Sequence, residues 1–275
     1  KEKPEIIFHL AAQPLIFTSY IKPQQTFDIN IIGTLNVLEA IRLNKFVKSG
    51  IFITSDKCYE NIGKIMSYKE DDRLGGIDPY SASKSSAELV IRAYRESYFK
   101  NSPQAISSVR AGNVIGGGDW SDNRLIPDVI RSLLKKRKII LRNPNFNRPW
   151  QHVLEPLRGY LLLAKKQFEN PKKYSGAYNF GSERKSLLQV KAIAKYITQF
   201  WGKGKIKLLN KYKFYEAKNL QLDSSKAKKK LKWKTLYSPK EAIKITAEWY
   251  LNVVKKKKNP IDITFSQIKN YMKKF

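Results

Sequence analysis

Residues 50–57 read GIFITSDK: a glycine, the apolar run Ile51-Phe52-Ile53, then two hydroxyls, a carboxylate and an amine. A short apolar run that ends in a polar cluster fits a strand buried on both faces, as in a parallel sheet. The same pattern occurs twice more. Ile6-Ile7-Phe8-His9-Leu10 runs into Ala11-Ala12-Gln13, and 105–110 runs into Ala111-Gly112-Asn113. Between these runs lie two amphipathic stretches. Phe27, Ile31, Leu38 and Ile41 recur at spacings near three to four and predict a helix over 23–44, opened by Pro23; a second helix is predicted over 79–99. The order β-α-β-α-β predicts an α/β fold with a doubly wound parallel sheet. Such sheets bind ligands at the carboxyl ends of their strands, which is where the three polar clusters stand.

After Gly116-Gly117-Gly118-Asp119 the alternation loosens. The pattern predicts helices over 125–136 and 154–168, a short strand at 139–141 and a last return to the sheet at 178–180. From 187 onward helices dominate, as in a smaller, mostly helical lobe that covers the strand ends. The chain then divides into a partial sheet domain at 1–115 rejoined by 150–181, a substrate-binding lobe from 116–149 and 182–258, and an unassigned appendage at 259–275.

With 275 residues, 42% of them hydrophobic, the chain can bury the core of one large domain or two small ones. Its single cysteine, Cys58, excludes an internal disulfide and fits a reducing cytoplasm. No run approaches the roughly 18–20 apolar residues of a membrane span, and no ligand spacing suggests a metal. The 53 Lys and Arg against 23 Asp and Glu give a net charge of +30, a balance that suits nucleic acid, anionic membranes or phosphorylated ligands. Most of the excess is lysine in the second half, at 226–234 and 255–258, between apolar helix positions such as Leu231 and Trp233. Neither zinc-finger spacing nor an aromatic RNA-binding signature accompanies it, so a solvated lysine-rich surface is favoured over a nucleic-acid site.

The chemistry-bearing motif is Tyr80-Ser81-Ala82-Ser83-Lys84. Pro79 at a helix start places Tyr80 and Lys84 one turn apart on the same face. A free tyrosine titrates near 10 and is a poor base at neutral pH, but a neighbouring ammonium stabilises the phenolate. A phenolate so placed can take the proton of a sugar hydroxyl while hydride leaves the same carbon. Alone, a Tyr and a Lys four apart also fit a wet helix face.

The motif has company: His9-Leu10-Ala11-Ala12-Gln13-Pro14, Asn30-Ile31-Ile32-Gly33-Thr34, TSDKCYEN at 54–61, RAGNVIGGGDW at 110–120, RLIPD at 124–128 and RPWQHVLEPLRGYLLLA at 148–164. With these the sequence resembles the extended short-chain dehydrogenase/reductase family, and within it the CDP-glucose 4,6-dehydratases, over most of its length. The resemblance implies a Rossmann-like fold, NAD as cofactor and a nucleotide-sugar as substrate, used in deoxysugar synthesis for surface polysaccharide. It implies that Tyr80, helped by Lys84, oxidises the sugar at its 4-hydroxyl. Asp56 then matches the acid and Lys57 the base of water elimination across C5 and C6, with Ser55 beside the ketone. Related dTDP-glucose enzymes carry Glu at the position of Lys57. A lysine at its reference pKa of about 10.4 is nearly all protonated, so a base there needs desolvation or a nearby cation; the competing reading is an ion pair with Asp56 or Glu60.

For the cofactor the resemblance implies Leu10, Ala11, Ala12, Gln13, Asn30, Thr54, Tyr80, Lys84 and Ala111. For the substrate it suggests Asn113, with Arg124 and Arg148 as phosphate-forking candidates and His152, for which a buried, bonded imidazole is an equal reading. Tyr215-Glu216-Ala217 stands where the family usually has a histidine. Family members also begin with a strand and a glycine-rich turn for the NAD pyrophosphate. No such turn precedes Glu5, so about two N-terminal βα units are expected to be missing from this chain. The helix face of Leu89, Val90, Ala93 and Tyr94 suits a homodimer. Another nucleotide-sugar dehydratase of the family is an alternative, and an epimerase or decarboxylase of the family would keep Tyr80 and Lys84 without needing the Asp56–Lys57 pair. A basic nucleic-acid-binding protein would need none of them.

Overall fold

The computed structural model describes residues 2–62, 67–182, 187–202, 204–209 and 220–275. Four parallel strands form the main sheet in the order β1 (Ile6–His9), β2 (Ser49–Ile53), β4 (Ala105–Arg110), β9 (Gly176–Asn179). All six residues of β4 are buried, as expected of a strand covered on both faces. Alternate residues feed two cores. Phe52 and Ile106 pack with Leu38, Ile41 and Ile91, while Ile51 and Val109 pack with Tyr160, Leu163, Tyr178 and Phe180. The last strand begins two residues before the expected 178–180.

On one face lie α1 (Ile16–Ile21), then α2 (Pro23–Phe27) and α3 (Gly33–Leu43), and α4 (Pro79–Tyr94). The helix expected over 23–44 is therefore not one regular α-helix: a π turn at Asp28–Ile32 joins α2 to α3. A second π turn, Arg95–Phe99, ends α4 short of the expected 99. A π turn adds one residue to a helical turn, which a count of apolar spacings absorbs without trace. On the other face lie α6 (Leu154–Glu169) and α7 (Pro171–Tyr174). Gln167 of α6 ties the strands together: its Nε2 donates to Ala105 O at 2.7 Å and Ser49 Oγ at 2.9 Å, and its Oε1 accepts from Ser107 Oγ.

The chain divides into two compact units, the first made of residues 1–112, 156–181 and 220–234, the second of 113–155, 182–219 and 235–275. The first unit corrects the expected boundary at 182–258. Its short β3 (Ser67–Tyr68) pairs with β12 (Gln221–Leu222), and α9 (Ser225–Leu231) carries Ala227 and Leu231 into the sheet's core. Trp233 packs edge-on to Phe180 at 5.0 Å, so apolar burial overrides chain position here.

The second unit contains β5 (Val114–Ile115) paired with β8 (Gln151–His152), α5 (Leu125–Leu134), β6 (Ile139–Arg142) paired with β11 (Ile206–Leu209), and β7 (Asn147–Pro149) paired with β10 (Leu187–Gln189). Its helices α8 (Val190–Trp201) and α10 (Pro239–Tyr250) share one core with α5 through Ile130, Ile197 and Ile243. Six short strands among the described residues make this lobe less purely helical than expected. The appendage at 259–275 is a helix, α11 (Pro260–Met272), capped by Asn259, whose Oδ1 accepts from Ile261 N at 2.8 Å. No helix of the described residues is long and apolar enough to cross a membrane.

Candidate active site

The strand end of β2 turns sharply. Ser55 caps a single 3-10 turn over Asp56–Cys58, its Oγ accepting from Lys57 N at 3.2 Å and donating to Asp56 Oδ1 at 3.0 Å. Lys57 Nζ lies 3.4 Å from the same Asp56 oxygen, forming the ion pair weighed as its alternative role. The Asp56 side chain is nearly fully buried while that of Lys57 keeps a fifth of its surface. Ala111 O at the end of β4 accepts from Asp56 N. The next residue must be glycine: a Cβ on Gly112 would stand 1.9 Å from Asp56 Oδ2. The carboxylate thus owes its position to a missing side chain.

The second half of the site stands on α4. Asp78 caps this helix, accepting from Ser81 N at 2.9 Å and Ser81 Oγ at 2.6 Å, and Pro79 fills the first turn where no N–H is needed. Tyr80, Lys84 and Glu88 follow at intervals of four, all buried. Lys84 Nζ donates to Ile53 O at 3.3 Å, so the ammonium reaches the end of β2. Burial lowers Lys84 to about 8, with the Glu88 carboxylate opposing that fall.

Asn30 joins a third segment to this helix. Its Oδ1 accepts from Gln13 N at 2.8 Å, and its Nδ2 donates to Gln13 O at 3.1 Å and to Ser83 Oγ at 2.9 Å. The loop after β1 is thereby held beside α4, and Tyr80 N donates to Ser19 Oγ at 3.2 Å. Within that loop Leu10 is 54% exposed and Ala11 is also open. An uncovered apolar floor beside buried tyrosine, lysine and amide groups fits a nicotinamide ring, so Leu10, Ala11, Ala12 and Gln13 remain suitable for NAD. Thr54 is placed differently: its hydroxyl points inward and donates to Glu88 Oε1 at 2.5 Å. Ala111 packs against the core of the sheet.

Beneath both halves is a network that the sequence reading did not find. Arg110 donates to Glu88 through Nε (2.9 Å) and Nη2 (2.7 Å), and through Nη1 to Tyr59 OH (2.6 Å). Tyr59 donates to Asn179 Oδ1 at 2.8 Å, and Ser108 adds a fourth donor to Glu88. Burial alone would push the Glu88 carboxyl up; the charge of Arg110 and these hydrogen bonds hold it below its ordinary value. The available signal was spacing, since Glu88 repeats the Tyr80–Lys84 interval. Cys58 is fully buried and its thiol is pushed up by that burial, in keeping with a packing role.

The substrate candidates lie in the second unit. Asn113 takes a left-handed backbone conformation (φ 50°) at the end of β4. Arg124 donates to Asp119 Oδ2 at 3.1 Å and is part-exposed. Arg148 is buried, with its guanidinium over the Phe146 ring. His152 is enclosed, edge-on to Tyr237, and desolvation lowers it to about 4, which keeps the ring neutral near pH 7. Its Nδ1 accepts from Leu154 N at 3.4 Å while its buried Nε2 has no hydrogen-bond partner among the described residues, so the ring is enclosed but bonded on one side only. Tyr215-Glu216-Ala217 lies outside the described residues.

A family model described as GDP-mannose 4,6 dehydratase matches residues 1–246. The CDP-glucose 4,6-dehydratase of Salmonella typhimurium is 43% identical over 254 residues, covering 90% of this chain and 71% of that one. Among solved structures, the dTDP-glucose 4,6-dehydratase of Streptomyces venezuelae, solved with NAD bound, aligns with a TM-score of 0.78 at 22% identity, covering 90% of this chain and 73% of that one. The UDP-glucose 4-epimerase of Thermotoga maritima, solved with UDP-glucose, aligns with a TM-score of 0.76 at 25% identity over 92% of this chain and 79% of that one.

Proposed function

The chain belongs to the GDP-mannose 4,6-dehydratase family, and from that premise we infer that it is a nucleotide-sugar 4,6-dehydratase, a hydro-lyase converting CDP-glucose to CDP-4-keto-6-deoxyglucose. The observation that carries this reading is the Asp56–Lys57 pair at a strand end, in a chain 43% identical to a CDP-glucose 4,6-dehydratase.

NAD, when bound, supplies the acceptor for hydride from C4 and the donor that returns it to C6. Leu10, Ala11, Ala12, Gln13, Asn30, Tyr80 and Lys84 are the residues that would hold its nicotinamide end. Tyr80 removes the proton of the sugar 4-hydroxyl, and the Lys84 ammonium, held at Ile53 O, stabilises negative charge on the tyrosine oxygen. The ketone so formed acidifies C5–H, and the Ser55 hydroxyl, turning from Asp56 Oδ1, donates to its oxygen.

Asp56 and Lys57, 3.4 Å apart, are then assigned as the acid and the base of the elimination. One proton moving from Lys57 to Asp56 makes a free amine and a carboxylic acid. The amine takes the C5 proton as the acid protonates the departing C6 hydroxyl, which leaves as water, and the pair is then ammonium and carboxylate. Lys57 finally returns a proton to C5. Tyr80 is left protonated and Lys57 deprotonated, a difference of one proton that exchange with solvent restores.

The route feeds deoxysugar synthesis for surface polysaccharide in the cytoplasm. The open Leu89 and Ala93 of α4, with half-buried Val90 and Tyr94, supply the face for a homodimer. The test is to incubate the protein with NAD and CDP-, dTDP- or UDP-glucose and to follow the alkali-absorbing 4-keto product. A Lys57→Met variant with an unchanged rate of C5 proton exchange removes Lys57 from the mechanism. Epimerised sugar without loss of water removes the dehydratase reading.

A further inference from the structure

Two features remain unexplained by catalysis: the lysine excess and the helix after residue 258. The α11 helix docks by one side only. Trp249 Nε1 donates to Thr264 Oγ1 at 3.0 Å, Gln267 Nε2 donates to Ile245 O at 2.9 Å, and Tyr271 OH donates to Glu155 Oε2 at 2.7 Å. Glu155 also accepts from Leu236 N and Tyr237 N, so this side is well anchored.

The other side carries Ile261, Phe265, Ile268 and Met272 at intervals of four, three and four, one continuous stripe down the helix. Ile261, Phe265 and Met272 are 61%, 58% and 56% exposed. Ile268 is half-buried, but a polar residue at Ile261, Phe265 or Met272 would leave the docked side in place, so packing within this chain does not account for those three.

Charge surrounds it. Lys256, Lys257 and Lys258 immediately precede the helix and are exposed, and Lys269 and Lys273 lie along it, against Asp262 on the helix and Glu241, which pairs with Lys274 beyond its end. Lysines before a helix N-terminus are unfavourably placed against its dipole, so they do not serve the helix itself. An anionic surface would relieve that repulsion while an apolar layer beneath it took up the stripe. Helices that lie in the interface of a bilayer combine these same two properties.

We propose that α11 and the Lys256–Lys258 run form a docking surface for anionic phospholipid membrane, with the stripe dipping into the headgroup–acyl boundary and the protein bound peripherally. Nucleic acid would use the lysines but not the stripe, and a second copy of this chain would use the stripe but be repelled by the lysines.

The test is co-sedimentation of the whole protein with vesicles of phosphatidylcholine alone and of a phosphatidylcholine–phosphatidylserine mixture. Binding to the mixture only, weakened by salt, is expected. Replacing Lys256, Lys257 and Lys258 by Gln should weaken partitioning about a hundredfold at low salt, from about 1 kcal/mol per basic side chain near an anionic surface. Phe265→Ser with Met272→Ser should reduce it at least tenfold, and both variants should turn over CDP-glucose as the parent does, which shows they fold. Equal sedimentation with both vesicle types, or with neither, overturns the proposal. Loss of a dimer in the Phe265→Ser/Met272→Ser variant without vesicle binding assigns the stripe to a second copy. Salt-sensitive DNA binding that ignores the stripe assigns the lysines to nucleic acid.

Discussion

Glu88→Gln perturbs the protein where its two catalytic segments meet. The parent carboxylate accepts from four donors, on Thr54, Ser108 and twice on Arg110, with the closest ion-pair contact at 2.7 Å and both side chains almost fully buried. A glutamine presents one accepting oxygen and turns an NH2 group toward donors, leaving Arg110 as a buried cation without its counter-charge. Breaking such a pair costs about 3–5 kcal/mol, a large part of the roughly 5–15 kcal/mol that holds a domain together. With a urea slope of about 2–3 kcal/mol per molar, the unfolding midpoint should fall by about 1–2.5 M at neutral pH. The pH dependence has a definite sign. The folded-state carboxyl is held below its ordinary value, so its stabilisation is present above that value and is lost as pH falls through the folded-state value. The parent should therefore lose its advantage over Glu88→Gln in acid. A variant with Glu88→Leu and Arg110→Met, which leaves no orphan charge, should recover much of the loss. A midpoint shift below about 0.3 M for Glu88→Gln, with the slope unchanged, would refute the argument that this ion pair anchors the site.

Turnover should decline as pH rises past about 8, where the Lys84 ammonium is lost, and a pH–rate profile of Lys84→Met should lack that limb. Lys84 is lowered in the fold, so between about 8 and its ordinary value the parent gains stability with pH, and urea titration at two alkaline pH values checks this. Gly112→Ala must displace the Asp56 carboxylate and should cut kcat by about a hundredfold or more, the usual worth of a general acid, with an unchanged circular-dichroism spectrum. Tyr80→Phe should cost about 10²–10⁴-fold in kcat while substrate binding, read by calorimetry, holds. Asn30→Ala leaves the Gln13 and Ser83 groups short of partners and should cost about 1–3 kcal/mol in urea unfolding.

The strands and the two site segments could be read from the chain because each is local. Ile51-Phe52-Ile53 followed by Thr54-Ser55-Asp56-Lys57 states both a buried strand and its reactive end. Tyr80 and Lys84 declare their shared face by spacing alone. What escaped is what the chain brings together from afar. Arg110 meets Glu88 from 22 residues away and Asn179 meets Tyr59 from 120, and no local pattern encodes either contact. Residues 220–234 were misassigned for the same reason: a lysine-rich segment late in the chain looks like lobe, yet Trp233 and Leu231 belong to the sheet's core. The π turn at Asp28–Ile32 escaped because an added helical residue shifts the spacing by less than the pattern's own scatter.

Trp233 also bears on how the protein comes into being on the ribosome. The main chain passes from one unit to the other at 112, 155, 181, 219 and 234, so neither unit is a continuous length of polypeptide. Phe180 and Tyr160 are synthesised early but gain their Trp233 partner only when residues 220–234 emerge. Until then an incomplete core stays exposed, and contacts so distant in sequence form slowly. A nascent chain stopped before residue 220 would carry every catalytic candidate of the first unit on a sheet missing part of its lid, open to chaperones and proteases.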